Sequence, residues 1–304
     1  MKKVLVTGGA GFIGSNLVDK LIHNNYKVTV IDNESSESAD QFYYNKEAQN
    51  LKLDVTNFEE IKQHFKDVDV VFHLAAEARI QPSIINPLKS VHANVMGTCS
   101  VLQAAREMGV KRVVYSSTSS GYGLNSIPNV EDQPDDCLNP YSVSKVAGEK
   151  LCKMYSDLFG LETIIFRYFN IYGNRQPIRG QYGTVIGIFE RQKRADEPLT
   201  IVGDGTQSRD FTNVNDAVQA NILAATKEID KKYFGTIFNI GSGKNYTINE
   251  VAQMYEHITT NIPPREGETK ATLATIDKAK NILGFKPTID LKDWLKERLK
   301  WKIY

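Results

Sequence analysis

Short apolar runs and segments with helical spacing alternate through the first half of the chain. Apolar residues at Ile13, Leu17 and Leu21 recur every four positions and predict one buried face of a helix. Two further helices are predicted at 94–108 and 141–159, and the predicted strands cover 4–7, 28–31, 51–55, 68–74, 112–116 and 163–166. Strands that alternate with helices indicate an α/β fold built on a doubly wound parallel sheet.

The pattern changes after residue 172, where loops rich in glycine and proline become frequent. The predicted elements are helices at 184–194, 214–227, 247–260 and 291–300, strands at 199–202 and 236–240, and loops at 173–183, 203–205 and 263–267. We expect a nucleotide-binding domain over 1–172, to which the chain returns at about 209–241. A smaller, mixed α/β substrate lobe would then comprise 173–208 and 242–304.

Composition narrows the class of protein without identifying a function. The chain has 304 residues, a length typical of about two domains, and a formal net charge of +1. Such a chain has no overall field that would attract nucleic acid or an anionic membrane. Its three cysteines form no C-x-x-C pair, and no apolar run approaches the ~18 residues of a membrane span. We expect a cytoplasmic globular protein, either an enzyme or a ligand-binding module.

A glycine-rich loop follows the first predicted strand. Residues 7–14 read Thr-Gly-Gly-Ala-Gly-Phe-Ile-Gly and are followed by an amphipathic helix. In that context small residues let the backbone approach a pyrophosphate at the N-terminus of the helix. The residues expected to bind a dinucleotide here are Gly8, Gly11, Phe12, Ile13 and Gly14.

Asp32 ends the second predicted strand, roughly 20 residues after the glycines, where a carboxylate binds the ribose hydroxyls of the adenosine. The same carboxylate would repel a 2′-phosphate, and the neighbouring Asn33 supplies no cation to offset that repulsion. The sequence therefore favours NAD over NADP.

Tyr141 and Lys145 form a Tyr-x-x-x-Lys motif where Asn139 and Pro140 are suited to begin a helix, so the two side chains would share one face. For Tyr141 to act as a base near neutral pH, its pKa would have to fall from 10 by about 3, roughly 4 kcal/mol. An adjacent ammonium and an oxidised nicotinamide both lower that pKa. Thr118 follows the predicted strand 112–116 and would complete this group at the carboxyl edge of the sheet, with Ser116 beside it.

Together these motifs resemble the extended short-chain dehydrogenase/reductase family, the NAD-dependent nucleotide-sugar epimerases and dehydratases. The blocks that carry the resemblance occur in family order at 7–14, 73–76, 94–98, 116–123, 141–145, 167–173 and 203–211. The resemblance implies a Rossmann domain, with Tyr141 as the base, Thr118 as hydrogen-bonding partner of the sugar 4-oxygen and Lys145 on the nicotinamide ribose. It also implies a homodimer formed through the helices at 94–108 and 141–159.

The same resemblance assigns the rest of the cleft. On the cofactor side, Asp54 and Val55 would flank the adenine, Leu74, Ala75, Ala76 and Phe169 would line the nicotinamide side, and Asn94 would support the active site. On the substrate side, Asn170, Arg209 and Arg265 would hold the diphosphate, Glu268 the nucleotide ribose, and Thr184, Val185, Thr200 and Val202 the base.

Ser120 stands where dehydratases of this family carry a carboxylate, two residues before Tyr122 and Gly123. A hydroxyl cannot perform the acid–base step of the dehydratases near neutral pH. This argues against 4,6-dehydration as the reaction and weakens the case for decarboxylation. The pattern is similar to that of 4-epimerases, which act through a transient 4-keto sugar. The alternatives are a nucleotide-sugar oxidoreductase or decarboxylase, an epimerase of UDP-glucuronic acid or another nucleotide sugar, and a non-catalytic NAD-sensing scaffold.

Three positions bear on the substrate, for which a UDP-hexose is favoured. Thr272 is small where the resembled epimerases carry an aromatic residue, which favours tolerance of N-acetylated sugars. Arg79 replaces a small residue near the sugar and could meet a substrate carboxylate or pair with Glu77. Gly187 replaces a common proline, a change expected to loosen the base pocket. The histidines show no metal-ligand spacing, so no metal is expected.

Overall fold

The computed structural model describes residues 2–37, 41–179 and 183–300. In chain order its strands are β1 (Lys3–Thr7), β2 (Lys27–Asp32), β3 (Gln49–Lys52), β4 (Val70–His73), β5 (Arg112–Thr118), β6 (Glu162–Tyr168), β7 (Ile171–Tyr172), β8 (Leu199–Val202), β9 (Ser208–Asp210), β10 (Thr212–Asn213), β11 (Thr236–Ile240), β12 (Asn245–Thr247) and β13 (Thr259–Ile262). Its α-helices are α1 (Phe12–His23), α2 (Phe58–Ile61), α3 (Ile80–Ile85), α4 (Pro87–Val91), α5 (Gly97–Glu107), α6 (Pro140–Phe159), α7 (Val185–Arg194), α8 (Val214–Thr226), α9 (Ile248–Met254) and α10 (Leu291–Lys300).

Seven parallel strands form the central sheet in the order β11-β6-β5-β4-β1-β2-β3. The strands are short, mostly buried runs, as expected where helices cover both faces. One apolar core packs α1 and α8 against the sheet and includes Leu17 and Ala220, and the other packs α5 and α6 and includes Leu102 and Cys152. The predicted doubly wound α/β fold is confirmed.

A third core lies outside the sheet and joins α7, β8, α9 and α10. Ile186, Phe189, Tyr255 and Leu295 are among its fully or almost fully buried members. The small parallel pair β8–β13 lies beside it. This part of the chain supplies the second wall of the cleft described below.

Several predicted boundaries are wrong for identifiable reasons. The helix predicted at 247–260 ends at Met254, since Glu256 takes a left-handed backbone (φ 49°) and the chain then continues as β13 beside β8. The strand predicted at 51–55 lies at Gln49–Lys52. Helices α3 and α4 had no counterpart among the predicted elements, and the chain enters α5 through a π-helical turn at His92–Met96. The loop predicted at 173–183 lies partly outside the described residues.

Candidate active site

A cavity of about 600 Å³ opens along the carboxyl ends of β1, β2, β4 and β5 and extends to the second lobe. It brings together almost all of the site residues expected from the sequence. Those that line it are Gly8, Gly11, Phe12, Ile13, Gly14, Asp32, Asn33, Asp54, Val55, Leu74, Ala75, Ala76, Ser116, Thr118, Tyr141, Lys145, Asn170, Thr184, Val185, Thr200, Val202, Arg209, Arg265, Glu268 and Thr272.

The glycine loop is shaped by close backbone approaches. Gly8 adopts a left-handed backbone with φ 69° and donates its amide to the carbonyl oxygen of Ile31 at 2.8 Å. A Cβ on Gly14 would lie 2.1 Å from the carbonyl oxygen of Gly8, so only glycine lets α1 pack this tightly on the loop. Gly11 precedes α1, which has no side-chain cap and no acidic residue in its first turn. This helix N-terminus is therefore suited to an anionic pyrophosphate.

The carboxylate of Asp32 lies at the end of β2 on the cleft wall. Its two oxygens accept the backbone amides of Ala10 at 3.0 Å and Glu34 at 2.9 Å, which fixes the group and leaves each oxygen with a free lone pair. Burial raises the pKa of Asp32. Asn33 donates to Asp54 at 2.8 Å, so the residues expected around the adenosine form one connected wall that fits NAD.

Thr118, Tyr141 and Lys145 meet at the centre of the cleft. Asn139 caps α6 by accepting the amide of Ser142 at 2.8 Å, and this capping box places Tyr141 in the first turn. Burial raises the pKa of the Tyr141 phenol, while a hydrogen bond with Thr118 and the positive charge of Arg79 both lower it. Thr118 is held in turn by the amide of Ser120, which donates to its hydroxyl at 3.1 Å.

Lys145 lies one turn further along α6. Its Nζ stacks 4.3 Å from the centre of the Tyr115 ring, and burial lowers the pKa of the ammonium to about 7. Glu149, another turn along, raises that pKa but is itself engaged by Ser117 at 2.5 Å and by Arg167 at 2.6 and 2.8 Å. The charge of Lys145 therefore depends on pH in the neutral range.

Two residues assigned to the cofactor do not line the cavity. Phe169 is fully buried beneath it and packs against Tyr122 and Ala274. Its ring therefore does not line the nicotinamide side of the cleft, where it was expected. Asn94 is also fully buried and bonds the backbone of Glu77 and the hydroxyl of Ser144. Asn94 thus supports the site from behind, as its assignment allowed, rather than touching a ligand.

The arginines expected to bind a diphosphate share one acid. Arg209 lies 3.6 Å and Arg265 3.9 Å from opposite carboxylate oxygens of Glu268. Burial lowers the pKa of Arg209, and Glu268 acts in the opposite direction. Two forked guanidiniums on one wall suit a pyrophosphate.

Asn170 and Thr272 are tied to each other beneath that wall. Asn170 has a left-handed backbone (φ 33°) and donates its amide to the carbonyl of Asp210 at 2.9 Å and to the hydroxyl of Thr272 at 3.2 Å. The Thr272 hydroxyl also accepts the amide of Asp210 at 3.2 Å, and Thr272 is almost fully buried. The Thr272 side chain therefore holds this turn through its hydroxyl, and because it is small it also leaves space in the cleft.

Gly187 has a specific packing role at the start of α7. Its amide donates to the hydroxyl of Thr184 at 3.0 Å, which proline could not do, and a Cβ would lie 2.4 Å from the carbonyl oxygen of Pro177. The expected loosening of the pocket is therefore offset locally by a closer approach of the loop before α7. On the neighbouring strand, Thr200 exchanges two hydrogen bonds with Gln192.

Arg79 lies on the cleft wall just before α3. Of the two partners expected for it, the carboxylate of Glu77 forms an ion pair with Lys89 at 3.1 Å. Arg79 lines the same cavity as Tyr141, and its positive charge lowers the pKa of the Tyr141 phenol.

Sequence reasoning missed part of the wall. The additional lining residues include Ser35, Phe42, Gln81, Lys89, His92, Leu138 and Gln207. They lie in loops and short helices whose local patterns carry no binding signal. Within the described residues no group of three or more His, Cys, Asp or Glu side chains could hold a metal ion, and none of the described helices is long and apolar enough to cross a membrane.

Comparison with known proteins agrees with this geometry. The model of the NAD dependent epimerase/dehydratase family matches residues 4–241. A Methanocaldococcus jannaschii protein named "Putative UDP-glucose 4-epimerase" is 38% identical over 98% of this chain and 97% of its own length. The Thermotoga maritima UDP-glucose 4-epimerase structure with UDP-glucose has a TM-score of 0.91 at 33% identity, covering 98% of each chain. A Bacillus cereus UDP-glucuronic acid 4-epimerase in complex with UDP-glucuronic acid and NAD has a TM-score of 0.89 at 33% identity, also covering 98% of each chain.

Proposed function

This chain belongs to the NAD dependent epimerase/dehydratase family, and we propose that it inverts C4 of a UDP-linked hexose, interconverting UDP-glucose with UDP-galactose and UDP-N-acetylglucosamine with its galacto epimer. The observation that carries the proposal is the meeting of Thr118, Tyr141 and Lys145 in one cavity that is also lined by two arginines, Arg209 and Arg265. The residue at the dehydratase acid position is Ser120, and the nearby acid Glu149 is engaged by Arg167 and Ser117.

The residues divide the chemistry as follows. The glycine loop and Asp32 would hold NAD, which would supply a reversible acceptor for the hydride on C4 of the sugar. The Tyr141 phenolate takes the proton of the 4-hydroxyl and gives it back, while the Thr118 hydroxyl donates to the 4-oxygen of the keto sugar. Arg209 and Arg265 retain the diphosphate while the keto sugar rotates. The sugar can then present the opposite face of its C4 carbon for reduction.

The domain division follows from these roles. Residues 1–172 and about 209–241 would bind NAD, and 173–208 with 242–304 would bind the nucleotide sugar. Asp210 supports this arrangement because it lies at the junction: its carboxylate accepts hydrogen bonds from the amides of Ser242, Gly243 and Ala274 at 2.8–3.1 Å.

Arg79 favours one second candidate, an epimerase of UDP-glucuronic acid. A guanidinium on the wall that carries Tyr141 could meet the C6 carboxylate of a hexuronic acid. The reaction and its residues would be unchanged, so the two candidates differ only in the sugar.

The decisive experiment incubates the purified protein separately with UDP-glucose, UDP-N-acetylglucosamine and UDP-glucuronic acid, without added cofactor, and follows the products by proton NMR. Bound NAD is quantified after denaturation. We expect the galacto epimer of at least one substrate, no release of NADH or carbon dioxide, and no product with Tyr141→Phe. Release of NADH would indicate an oxidoreductase and release of carbon dioxide a decarboxylase. Epimerisation by Tyr141→Phe at the wild-type rate would contradict the assignment of the base.

A homodimer is supported by apolar side chains on neighbouring helices. The residues concerned are Ile84, Ile85, Leu88, Val91, Met96 and Val143, which are 40–81% exposed. They lie on α3, α4, the turn before α5 and the start of α6, and a second copy would cover them. Light scattering on the wild type and on Val143→Glu tests this: the wild type should be a dimer and the variant a monomer. A cytoplasmic location fits the three unpaired cysteines.

A further inference from the structure

We propose that Arg298, on helix α10, is a positioning residue for nucleotide binding, which acts through a chain of buried side chains that ends at Thr184. The proposal rests on the proposed function, because that function places the base of the nucleotide against Thr184 and Val185. Both of these residues line the cavity, at the point where α7 begins. Arg298 itself does not line the cavity.

The chain begins with an ion pair between two helices. The Nε of Arg298 donates to Oε1 of Glu190, on α7, at 2.7 Å. Glu190 is only 6% exposed, and a carboxylate buried to this degree needs a bonded partner. Arg194, one turn further along α7, is largely exposed and lies 3.9 Å from the same oxygen, which is too far for a hydrogen bond. Arg298 is therefore the partner that holds this carboxylate in place.

The other carboxylate oxygen of Glu190 orients a buried amide. Its Oε2 accepts Nε2 of Gln176 at 3.0 Å, and Gln176 is also buried. Because a carboxylate can only accept hydrogen bonds, the NH₂ end of this amide must face Glu190 and its oxygen must face away. That oxygen accepts the hydroxyl of Thr184 at 3.0 Å and the backbone amide of Gly173 at 3.4 Å.

Thr184 uses its hydroxyl both as a donor and as an acceptor. It gives its hydrogen to Gln176 and accepts the amide of Gly187 at 3.0 Å, which caps α7. Its own backbone amide donates to the carbonyl oxygen of Pro177 at 3.1 Å. The direction of each side-chain hydrogen bond is thus set from the Glu190 carboxylate, and the rotamer of a cavity-lining residue depends on an ion pair outside the cavity.

Helix α10 is anchored independently of that ion pair. Leu291 and Leu295 are buried in the third core, and the Trp294 ring packs edge-on against Tyr172 with the ring centres 5.1 Å apart. We therefore expect α10 to stay in place when the guanidinium is removed. Glu190 would then be a buried charge without its partner and would turn away, which would release the amide of Gln176.

The test measures UDP binding to the NAD-loaded protein by isothermal titration. Arg298→Met removes the charge and keeps an apolar side chain, while Arg298→Lys keeps a cation. The matched control is Arg191→Met, which removes a guanidinium from α7 whose ion-pair partner, Glu197, is exposed.

We expect Arg298→Met to raise the Kd for UDP about tenfold, as when the wall holds its binding geometry in about a tenth of the molecules. Arg298→Lys should raise it less, and Arg191→Met should bind as the wild type does. The KM of the nucleotide sugar should rise with the Kd. The kcat at saturating substrate and the content of bound NAD should stay at the wild-type values, because the lost interaction is one of binding.

A double variant tests whether Arg298 acts through Thr184. Thr184→Val removes the hydroxyl and keeps the shape of the side chain. Adding Arg298→Met to it should weaken UDP binding no further, whereas independent effects would multiply and would overturn the proposal. Gln176→Leu interrupts the chain but leaves the ion pair intact, and it should also raise the Kd. This variant decides the question if Arg298→Met does not fold.

An unchanged Kd in folded Arg298→Met, or in Gln176→Leu, would overturn the proposal. A fall in kcat and in NAD content along with affinity would show a general structural role and would equally overturn it. If the Kd rose as expected but no sugar were epimerised, the proposed function would fail while the role of Arg298 would stand. A wild type that did not bind UDP would refute both.

Discussion

The side chain of Asn94 forms two hydrogen bonds with the backbone of Glu77. It accepts the amide of Glu77 at 2.8 Å and donates to the carbonyl oxygen at 3.0 Å. The same amide group donates to the hydroxyl of Ser144 at 2.9 Å, which donates to the carbonyl oxygen of Tyr141 at 2.8 Å. One buried amide thus fixes both the loop that leads to Arg79 and the helix turn that carries Tyr141, the proposed base.

Replacing Asn94 by alanine should therefore lower activity more than affinity. The variant leaves the partly buried amide and carbonyl oxygen of Glu77 without a partner, and each costs about 1 kcal/mol, the lower end of the usual range. We expect kcat to fall at least about tenfold with a small change in KM, and the free energy of unfolding to drop by about 2 kcal/mol. Ser144→Ala, which keeps the bonds to Glu77, should lose less of both. Steady-state kinetics and urea unfolding measure these effects, and an Asn94→Ala enzyme with wild-type kcat would refute the argument.

Two glycines of the cofactor loop should respond differently to the same added methyl group. In Gly14→Ala the new Cβ meets the carbonyl oxygen of Gly8 at 2.1 Å, so the loop or α1 must move. In Gly11→Ala the nearest atom is the same oxygen at 3.4 Å, an ordinary contact. We expect Gly14→Ala to lower the unfolding temperature, and Gly11→Ala to leave it unchanged.

The bound NAD of the purified variants separates cofactor contact from folding. Gly14→Ala should contain less NAD because its loop is distorted. Gly11→Ala should also contain less NAD, but here the cause is the methyl group itself, which obstructs the approach of the pyrophosphate. A Gly11→Ala protein that unfolds early, or a Gly14→Ala protein with full stability and NAD content, would show that the loop is less tightly packed than the distances indicate.

Gly187 offers a test of the proposed pocket for the nucleotide base. Alanine at this position keeps the bond from its amide to Thr184 but places a methyl group against Pro177, whereas proline loses the bond as well. We expect affinity for UDP to fall in the order wild type, Gly187→Ala, Gly187→Pro, with kcat at saturating substrate much less affected. Isothermal titration with UDP measures the order. A Gly187→Pro variant that bound UDP as tightly as the wild type would mean that this turn does not shape the pocket.

Local motifs account for what the sequence predicted well. The glycine loop, Asp32 and the pair Tyr141 and Lys145 are recognisable because neighbours in the chain set their geometry. The capping box of Asn139 and Ser142 even fixes the first residue of α6. The parallel sheet was predicted from short apolar runs that alternate with helical segments. Such runs are visible in the sequence because strands covered by helices on both faces are buried.

The features that were missed depend on contacts between distant parts of the chain. The residues of β13 are mostly exposed, so this strand lacks an apolar alternation and exists because it pairs with β8. Helices α3 and α4 are short and contain Pro82 and Pro87. Phe169 was assigned to the cleft, but its ring packs against Tyr122 in the core. No local pattern distinguishes these outcomes.

His73 should make the protein less stable in mild acid. Its Nδ1 accepts the hydroxyl of Thr7 at 2.7 Å, and its Nε2 lies 3.0 Å from the hydroxyl of Thr98, which itself donates to the carbonyl oxygen of Asn94. Because the Thr98 hydrogen is used in that way, Nε2 carries the proton and Nδ1 is the acceptor, which describes a neutral ring. Burial, together with the charge of Lys145, lowers the pKa of His73 to about 3.

The direction of the pH effect follows from this lowered pKa. The unfolded chain takes up a proton on His73 near its ordinary pKa of about 6.5, whereas the folded chain does so only near pH 3. Between these values the unfolded state binds more protons, so the free energy of unfolding falls as the pH falls. From pH 7.5 to pH 5.0 this residue alone should lower the free energy of unfolding by about 2 kcal/mol.

Urea unfolding of the wild type and of His73→Gln, whose amide supplies a donor and an acceptor without titrating, measures the difference. The loss between the two pH values should be smaller in His73→Gln by that amount, while His23→Gln, at an exposed position of α1, should behave as the wild type. Equal losses in all three proteins would show that His73 is protonated in the folded state and that its hydrogen bonds rearrange.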